Sequence, residues 1–158
     1  MEIARSFDEV IFPGMNIRPY TPADRDVLLD IWLRSVRATH HFLSEADIEG
    51  LIPAVRDGAL PMLEVWVLTT AEGQPLGFMG LDGSKLEALF LDPEHAGQGG
   101  GSRLLAHARG LKGALTVDVN EQNPDALGFY RARGFTVGGR SETDGEGRPF
   151  PLLHLVEA

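Results

Sequence analysis

Apolar residues recur along this chain with two periods. Where they stand three or four positions apart, the spacing predicts a helix; where they alternate with polar residues, or form a short run between turn residues, it predicts a strand. In order, the predicted elements are a strand at 15–20, helices at 21–39 and 45–57, strands at 63–69, 76–81 and 86–91, a helix at 103–109, a strand at 114–119, a helix from 124 that ends at Gly134, and strands at 135–139 and 152–156.

The chain has the length of one domain. Its 158 residues, of which 43% are hydrophobic, are enough to build one core. Pro13 and Gly14 interrupt the pattern before the first strand, so we expect residues 1–14 to form an N-terminal extension and residues 15–158 a single domain. The extension could serve as an arm or as a dimer contact, which leaves room for a homodimer.

Composition excludes several classes of function. The chain has no cysteine, which excludes disulfides, thiolate metal sites and a cysteine nucleophile. A net charge of −9 argues against nucleic acid as a partner and mildly favours a cationic or amine ligand. No apolar run approaches the roughly 18 residues of a membrane helix, and the N-terminus lacks the pattern of a signal peptide. We therefore expect a cytoplasmic protein without a membrane partner.

A glycine-rich stretch follows the predicted strand at 86–91. Asp92 and Pro93 end that strand, four glycines fall within 97–101, and a helix is predicted directly after them. Glycines let the backbone approach a phosphate closely, and the first turn of a helix offers unpaired N–H groups at the positive end of its dipole. This succession of strand, loop and helix predicts an anion site.

Three kinds of phosphate loop have this general form. A P-loop ends in Gly-Lys-Ser/Thr, and the stretch contains no lysine, so that interpretation fails. A dinucleotide loop needs a third glycine where Leu104 stands, and the match stays incomplete even if Asp118 imitates the ribose-binding acid. The pyrophosphate loop of acyl-CoA enzymes, Gln/Arg-x-x-Gly-x-Gly/Ala, has its two glycines at Gly99 and Gly101.

A second motif lies about 20 residues further along the chain. The run from Asn123 to Phe135 matches the pattern Asn-x-x-Ala-x-x-Phe-Tyr-x-x-x-Gly-Phe. With both motifs in this order, the chain resembles the GNAT superfamily of N-acetyltransferases from about Met15 to Val156, and within it a group of small bacterial acetyltransferases. Ala96 departs from the Gln/Arg position of the first motif, so we expect weaker phosphate binding, with Gln98 as a substitute.

The resemblance implies a fold and a co-substrate. The fold is an α/β (α+β) GNAT fold, with a mixed, mostly antiparallel central sheet of six to seven strands flanked by about four helices. Acetyl-CoA would lie beside the strand at 86–91, and no metal is expected. Its contacts would come from that strand, the glycine loop and the second motif, at Leu89, Phe90, Leu91, Gly97, Gln98, Gly99, Gly100, Gly101, Ser102, Asn123 and Tyr130.

Three residues are candidates for the chemistry of acetyl transfer. Tyr130 aligns with the family's tyrosine and could protonate the leaving thiolate, although a packed aromatic would fit the same position. Glu87 could take the proton of the amine, directly or through a water, or it could be an outward-facing acid. His40 could relay that proton, or it could be a histidine favoured by the end of a helix dipole.

Other polar residues receive weaker assignments. His41 neighbours His40 and points elsewhere, so the two do not predict a metal site. Asn120 could face the cleft, and His154 is assigned no role. Arg103, Arg109, Arg131 and Arg133 are interpreted as solvated helix charges.

The leading hypothesis is an acetyl-CoA-dependent N-acetyltransferase. It would act on a primary amine, expected to be a small molecule, by direct attack in a ternary complex. One alternative is a sensor or interaction module that binds acyl-CoA without turnover. A weaker alternative is acetylation of a protein N-terminus or lysine, which the acidic charge permits. Whether the base is Glu87, His40 or a water stays open.

Overall fold

The computed structural model describes residues 14–157, so the predicted N-terminal extension lies outside the described residues except for Gly14. Within them the chain forms seven strands and four α-helices. The strands are β1 (Met15–Pro19), β2 (Glu64–Thr70), β3 (Pro75–Asp82), β4 (Lys85–Leu91), β5 (Thr116–Asn120), β6 (Phe135–Ser141) and β7 (Leu152–Glu157). The helices are α1 (Arg25–Thr39), α2 (Glu45–Pro53), α3 (Gly100–Lys112) and α4 (Pro124–Arg131).

The strands form one sheet in the order β1-β2-β3-β4-β5-β7-β6. Every neighbouring pair is antiparallel except β4 and β5, which are parallel. These two strands pair at Lys85 with Thr116 and at Leu86 with Val117, and beyond that point they diverge. The sheet therefore splits along its middle and opens a cleft between its two halves.

Helices cover the two faces of the sheet and divide the core in two. Their apolar stripes, spaced three and four residues apart, turn toward the strands. On one face, α3 and α4 pack on β3, β4, β5 and β7 through Leu104, Leu105, Ala108, Met79, Val117, Tyr130, Phe135 and Leu155. On the other face, α1 and α2 pack on β2 and β3 through Leu28, Ile31, Trp32, Val36, Ile48, Val67 and Phe78.

The predicted mixed, mostly antiparallel sheet with about four helices is confirmed. Several helix boundaries differ from the prediction by three or more residues. The second helical segment does not end near residue 57 but continues through a wide turn at Ala54–Ala59 to Leu60–Met62. Leu60 is buried in the core, and this packing keeps the chain helical past Gly58. No helix among residues 14–157 is long and apolar enough to cross a membrane.

Helix α3 begins at Gly100, three residues earlier than predicted. Glycine is a poor helix former, which is why the sequence pattern places its start at Arg103. Gly100 and Gly101 are buried in the first turn against neighbouring side chains, and this contact selects the helical conformation. The glycines therefore belong partly to the helix and partly to the loop.

Candidate active site

The divergence of β4 and β5 creates a cleft of about 710 Å³. Its lining residues come from the carboxyl end of α1, from β4 and β5, from the glycine loop and from α4. Its walls are formed by Ser35, Ala38, Thr39, His40, Leu86, Glu87, Ala88, Leu89, Phe90, Leu91, Pro93, Ala96, Gly97, Gly101, Val117, Asp118, Val119, Asn120, Asn123, Asp125, Ala126, Phe129 and Tyr130. The three residues predicted to carry the chemistry, Glu87, His40 and Tyr130, are all among them.

Glu87 occupies a β-bulge in β4. Gly80 of β3 pairs with Ala88, whereas the next residue, Leu81, pairs with Leu86, so Glu87 is an extra residue without a partner on β3. A bulge bends the strand and redirects the side chain of the extra residue. The Glu87 side chain lines the cleft and is 34% exposed, which leaves its carboxylate accessible to an incoming group.

Beyond the bulge, backbone groups of β4 face the cleft. The amide of Asp92 donates to the Leu76 carbonyl at 2.7 Å, which fixes the alternation of hydrogen bonds between β3 and β4. By that alternation the amide and carbonyl of Leu89, and those of Leu91, point away from β3 toward the diverging β5. The strand thus offers polar backbone groups to an extended ligand, as the resemblance implies for this segment.

The glycine loop places the first turn of α3 at the end of β4. Gly99 caps the helix with φ of 88°, a left-handed conformation that favours glycine, and its carbonyl accepts the Arg103 amide at 3.0 Å. A Cβ on Gly100 would lie 2.8 Å from Leu68 Cδ2 and 3.2 Å from Leu91 Cδ2. The absence of side chains therefore lets the helix start, with its unpaired amides, sit directly against the strand.

Tyr130 lies on the buried side of α4 and is 6% exposed. Its ring makes edge-to-face contacts with Phe129 and Phe135, at centroid distances of 5.1 and 5.3 Å. Burial raises the pKa of Tyr130, since the charged phenolate loses its hydration there. The hydroxyl group thus stays protonated at neutral pH and can act as a proton donor.

His40 follows the last residue of α1 and lines the cleft. The Thr39 hydroxyl donates to the Ser35 carbonyl at 2.8 Å, and it lies 2.7 Å from His40 Nδ1. Because that hydroxyl has one hydrogen, Nδ1 is the donor in this contact, which leaves Nε2 of the neutral ring as a proton acceptor. Burial first, and then the neighbouring His41, lower the pKa of His40, so the ring is neutral at pH 7.

The remaining predicted cofactor residues divide into two groups. Leu89, Phe90, Leu91, Gly97, Gly101 and Asn123 line the cleft together with Asn120, whereas Gln98, Gly99, Gly100 and Ser102 are not among its lining residues. Asn123 also caps α4, because its Oδ1 accepts the Ala126 amide at 3.2 Å. Asn123 therefore both caps α4 and lines the cleft.

The interpretation of Arg133 as a solvated charge is wrong. Its Nε donates to Ser102 Oγ at 2.8 Å, its Nη1 donates to the Phe129 carbonyl at 2.8 Å, and its guanidinium lies 3.8 Å from the centre of the Phe129 ring. Arg109 is likewise paired, with Glu157 at 2.7 Å. These arginines tie the glycine-loop helix to α4 and β7.

Sequence reasoning missed a polar network beside Glu87. Lys85 Nζ lies 3.2 Å from Glu87 Oε1 and 3.0 Å from Asp118 Oδ2. His154 Nδ1 donates to Asp118 Oδ1 at 2.6 Å, and His154 Nε2 lies 2.6 Å from Ser141 Oγ. Strand alternation places Asp118 and His154 on the sheet face opposite α3 and α4, but nothing in the sequence specifies that their two strands, β5 and β7, are neighbours.

Among residues 14–157, no group of acidic, histidine or cysteine side chains could hold a metal ion.

Comparison with known proteins identifies the family. The profile described as "Acetyltransferase (GNAT) domain" matches residues 62–137. The peptidyl-lysine N-acetyltransferase YjaB of Salmonella typhimurium is 48% identical over 142 residues, which cover 90% of this chain and 97% of that protein. YjaB of Escherichia coli is 44% identical over 145 residues, covering 90% and 96%.

Structural comparison gives the same assignment. The solution structure of the apo form of Escherichia coli YjaB superimposes with a TM-score of 0.85 at 44% identity, covering 91% of this chain and 97% of that chain. The resemblance inferred from the two motifs is thereby confirmed. The chain belongs to the GNAT superfamily of N-acetyltransferases, enzymes that use acetyl-CoA as co-substrate.

Proposed function

We propose that this enzyme transfers the acetyl group of acetyl-CoA to the side-chain amine of a lysine in a protein. The observation that carries this proposal is the similarity, over 90% of the chain, to two proteins named peptidyl-lysine N-acetyltransferases. This proposed lysine acceptor replaces the small-molecule amine that we expected from the sequence. A lysine acceptor also suits the cleft, whose walls include three carboxylates, Glu87, Asp118 and Asp125. Lys85, which is not a lining residue, pairs with the first two of them.

The co-substrate would bind along β4 and the glycine loop. Backbone groups of Leu89 and Leu91 that point away from β3 would pair with the amide groups of the pantetheine arm. Amides in the stretch Gly97–Ser102 would bind the pyrophosphate at the positive end of the α3 dipole. These contacts depend on backbone atoms, which explains how the loop can dispense with a Gln or Arg side chain at Ala96.

The reaction we propose is direct attack of the neutral amine on the thioester. The amine nitrogen bonds to the carbonyl carbon, the carbon–sulfur bond breaks, and the thiolate leaves. Tyr130, which burial keeps protonated, gives its proton to the sulfur. The proton that the amine loses passes to Glu87 or to Nε2 of His40, directly or through a water.

The test uses the purified chain, acetyl-CoA and a short lysine-containing peptide. We expect release of the CoA thiol together with a mass gain of one acetyl group on the lysine. Both peptides have a blocked N-terminus. The matched control has arginine in place of lysine, and it should lead to no release of thiol. Thiol release with small amines alone would contradict the protein acceptor, and CoA binding without release with any amine would favour the sensor alternative.

A further inference from the structure

Lys85 holds an ammonium group between two carboxylates of the cleft. Its Nζ is 3.0 Å from Asp118 Oδ2 and 3.2 Å from Glu87 Oε1, and both acids line the cleft. The lysine side chain is 40% exposed and has a flexible four-carbon stem. The candidate base therefore already has a cation of the enzyme beside it, of the same chemical type as a lysine acceptor.

The two carboxylates differ in how firmly they are held. Asp118 is also held through its other oxygen, Oδ1, by the 2.6 Å hydrogen bond from His154, which in turn contacts Ser141. Burial raises the pKa of Asp118, but the hydrogen bonds from His154 and Lys85 outweigh it and hold that pKa below its ordinary value. Asp118 is therefore a charged anchor that is present without the acceptor.

Glu87 makes the looser of the two contacts. It stands at the bulge, it is more exposed than Asp118, and its distance to Lys85 is the longer one. The hydrogen bond with Asp118 is also the main reason that the pKa of Lys85 is raised. An ammonium group that entered the cleft could thus displace Lys85 from Glu87 while Lys85 kept its contact with Asp118.

We propose that Lys85 is a specificity-determining residue, which occupies the position beside Glu87 that the acceptor ammonium must take. The Asp118–His154 pair keeps Lys85 bound to Asp118, and so allows an acceptor ammonium to replace Lys85 beside Glu87. This inference rests on the proposed function, because it assumes a cationic amine that reaches Glu87. The ammonium groups of Lys85 and of the acceptor repel each other when both lie beside Glu87. An acceptor therefore competes with Lys85 for Glu87 in proportion to its own positive charge.

The test compares the Michaelis constants of two variants for a lysine peptide at saturating acetyl-CoA. Lys85→Met removes the competitor, so we expect the KM for the peptide to fall about two- to fivefold, the effect of a half-exposed ion pair. Asp118→Asn keeps the shape but weakens the anchor, so Lys85 pairs more with Glu87 and the KM should rise by a similar factor. Lys85→Arg keeps the positive charge and should not lower the KM.

Shifts of the peptide KM in opposite directions in the two variants distinguish competition by Lys85 from a merely structural role. If Lys85 and Asp118 merely joined the two halves of the sheet, both variants would loosen the cleft and change the KM in the same direction. Shifts in one direction, or a KM that rises in Lys85→Met, would overturn the inference. The KM for acetyl-CoA should stay constant in both variants.

A binding measurement keeps the inference testable apart from the proposed function. Calorimetry with CoA bound gives the dissociation constant of the lysine peptide without any turnover. The same opposite shifts would support the inference even if no acetyl transfer occurred, in which case only the proposed function would fail. Peptide binding without opposite shifts, or no peptide binding in any variant, would overturn the inference.

Discussion

Arg34 binds both carboxylate oxygens of Asp92, a residue 58 positions further along the chain. Nη1 lies 2.7 Å from Oδ1 and Nη2 lies 3.0 Å from Oδ2. Asp92 is the first residue after β4, and its Oδ1 also accepts the Glu94 amide at 3.0 Å. Helix α1 therefore fixes the point at which the chain leaves the sheet and enters the glycine loop.

Breaking this pair should weaken both the fold and the co-substrate site. Asp92 is 8% exposed, so Asp92→Ala leaves the guanidinium without its main partner, and we expect the free energy of unfolding to fall by about 1–3 kcal/mol. The affinity for acetyl-CoA, measured by calorimetry, should fall as well. The matched control is Asp26→Ala, which breaks the exposed Arg25–Asp26 pair and should change neither quantity.

The same pair predicts a dependence of stability on pH. The hydrogen bonds from Arg34 lower the pKa of Asp92, so the folded state favours the carboxylate more than the unfolded state does. The stabilisation is complete above the ordinary aspartate pKa of about 3.9 and is lost as the pH falls through the lowered value. In urea unfolding, the difference between wild type and Asp92→Ala should therefore shrink below about pH 4. A difference that grows on acidification would contradict this assignment.

Gly100 should not tolerate a side chain. A Cβ at this position would lie 2.8 Å from Leu68 Cδ2, so Gly100→Ala should displace the start of α3 and cost about 1–3 kcal/mol of stability. Gly110 lies in the same helix with no atom within 4 Å of a Cβ, and Gly110→Ala should stabilise the protein by about 0.5–1 kcal/mol. Thermal melts and acetyl-CoA titrations of the two variants test this contrast; equal effects would contradict it.

The lowered pKa of His40 predicts the midpoint of the acid limb of the pH–rate profile. Because the pKa of His40 is lowered, its ring stays neutral and able to accept a proton below the ordinary histidine value of about 6.5. If His40 is the base, the acid limb of kcat/KM should have its midpoint below that value, and His40→Gln should remove the limb. A limb that Glu87→Gln removes, and His40→Gln leaves, would instead identify Glu87 as the base.

Some of this site follows from the sequence because its signals are local. The glycines, the Asn123 cap and the amphipathic stripe containing Tyr130 each depend on residues a few positions apart. Local spacing also predicts where nearly every strand and helix lies. It fails for the end of the second helix, where burial of Leu60 outweighs the intrinsic preference of glycine and proline against a helix.

The rest of the site depends on register between strands, which local patterns do not encode. The bulge at Glu87 appears only when β3 and β4 are aligned, because Gly80 and Leu81 pair with Ala88 and Leu86. The contact between Asp118 and His154 joins strands 36 residues apart, and β7 enters the sheet between β5 and β6. A histidine without any local signal therefore becomes part of the site.

The most direct test of the central claim is steady-state release of the CoA thiol by Tyr130→Phe with the lysine peptide. The variant keeps the ring contacts with Phe129 and Phe135 and loses the proton donor, so kcat should fall about a hundredfold or more while the melting temperature changes little. Tyr20→Phe, at the other tyrosine of the chain, is the matched control and should keep the wild-type rate. A Tyr130→Phe enzyme that releases thiol at the wild-type rate would contradict the account.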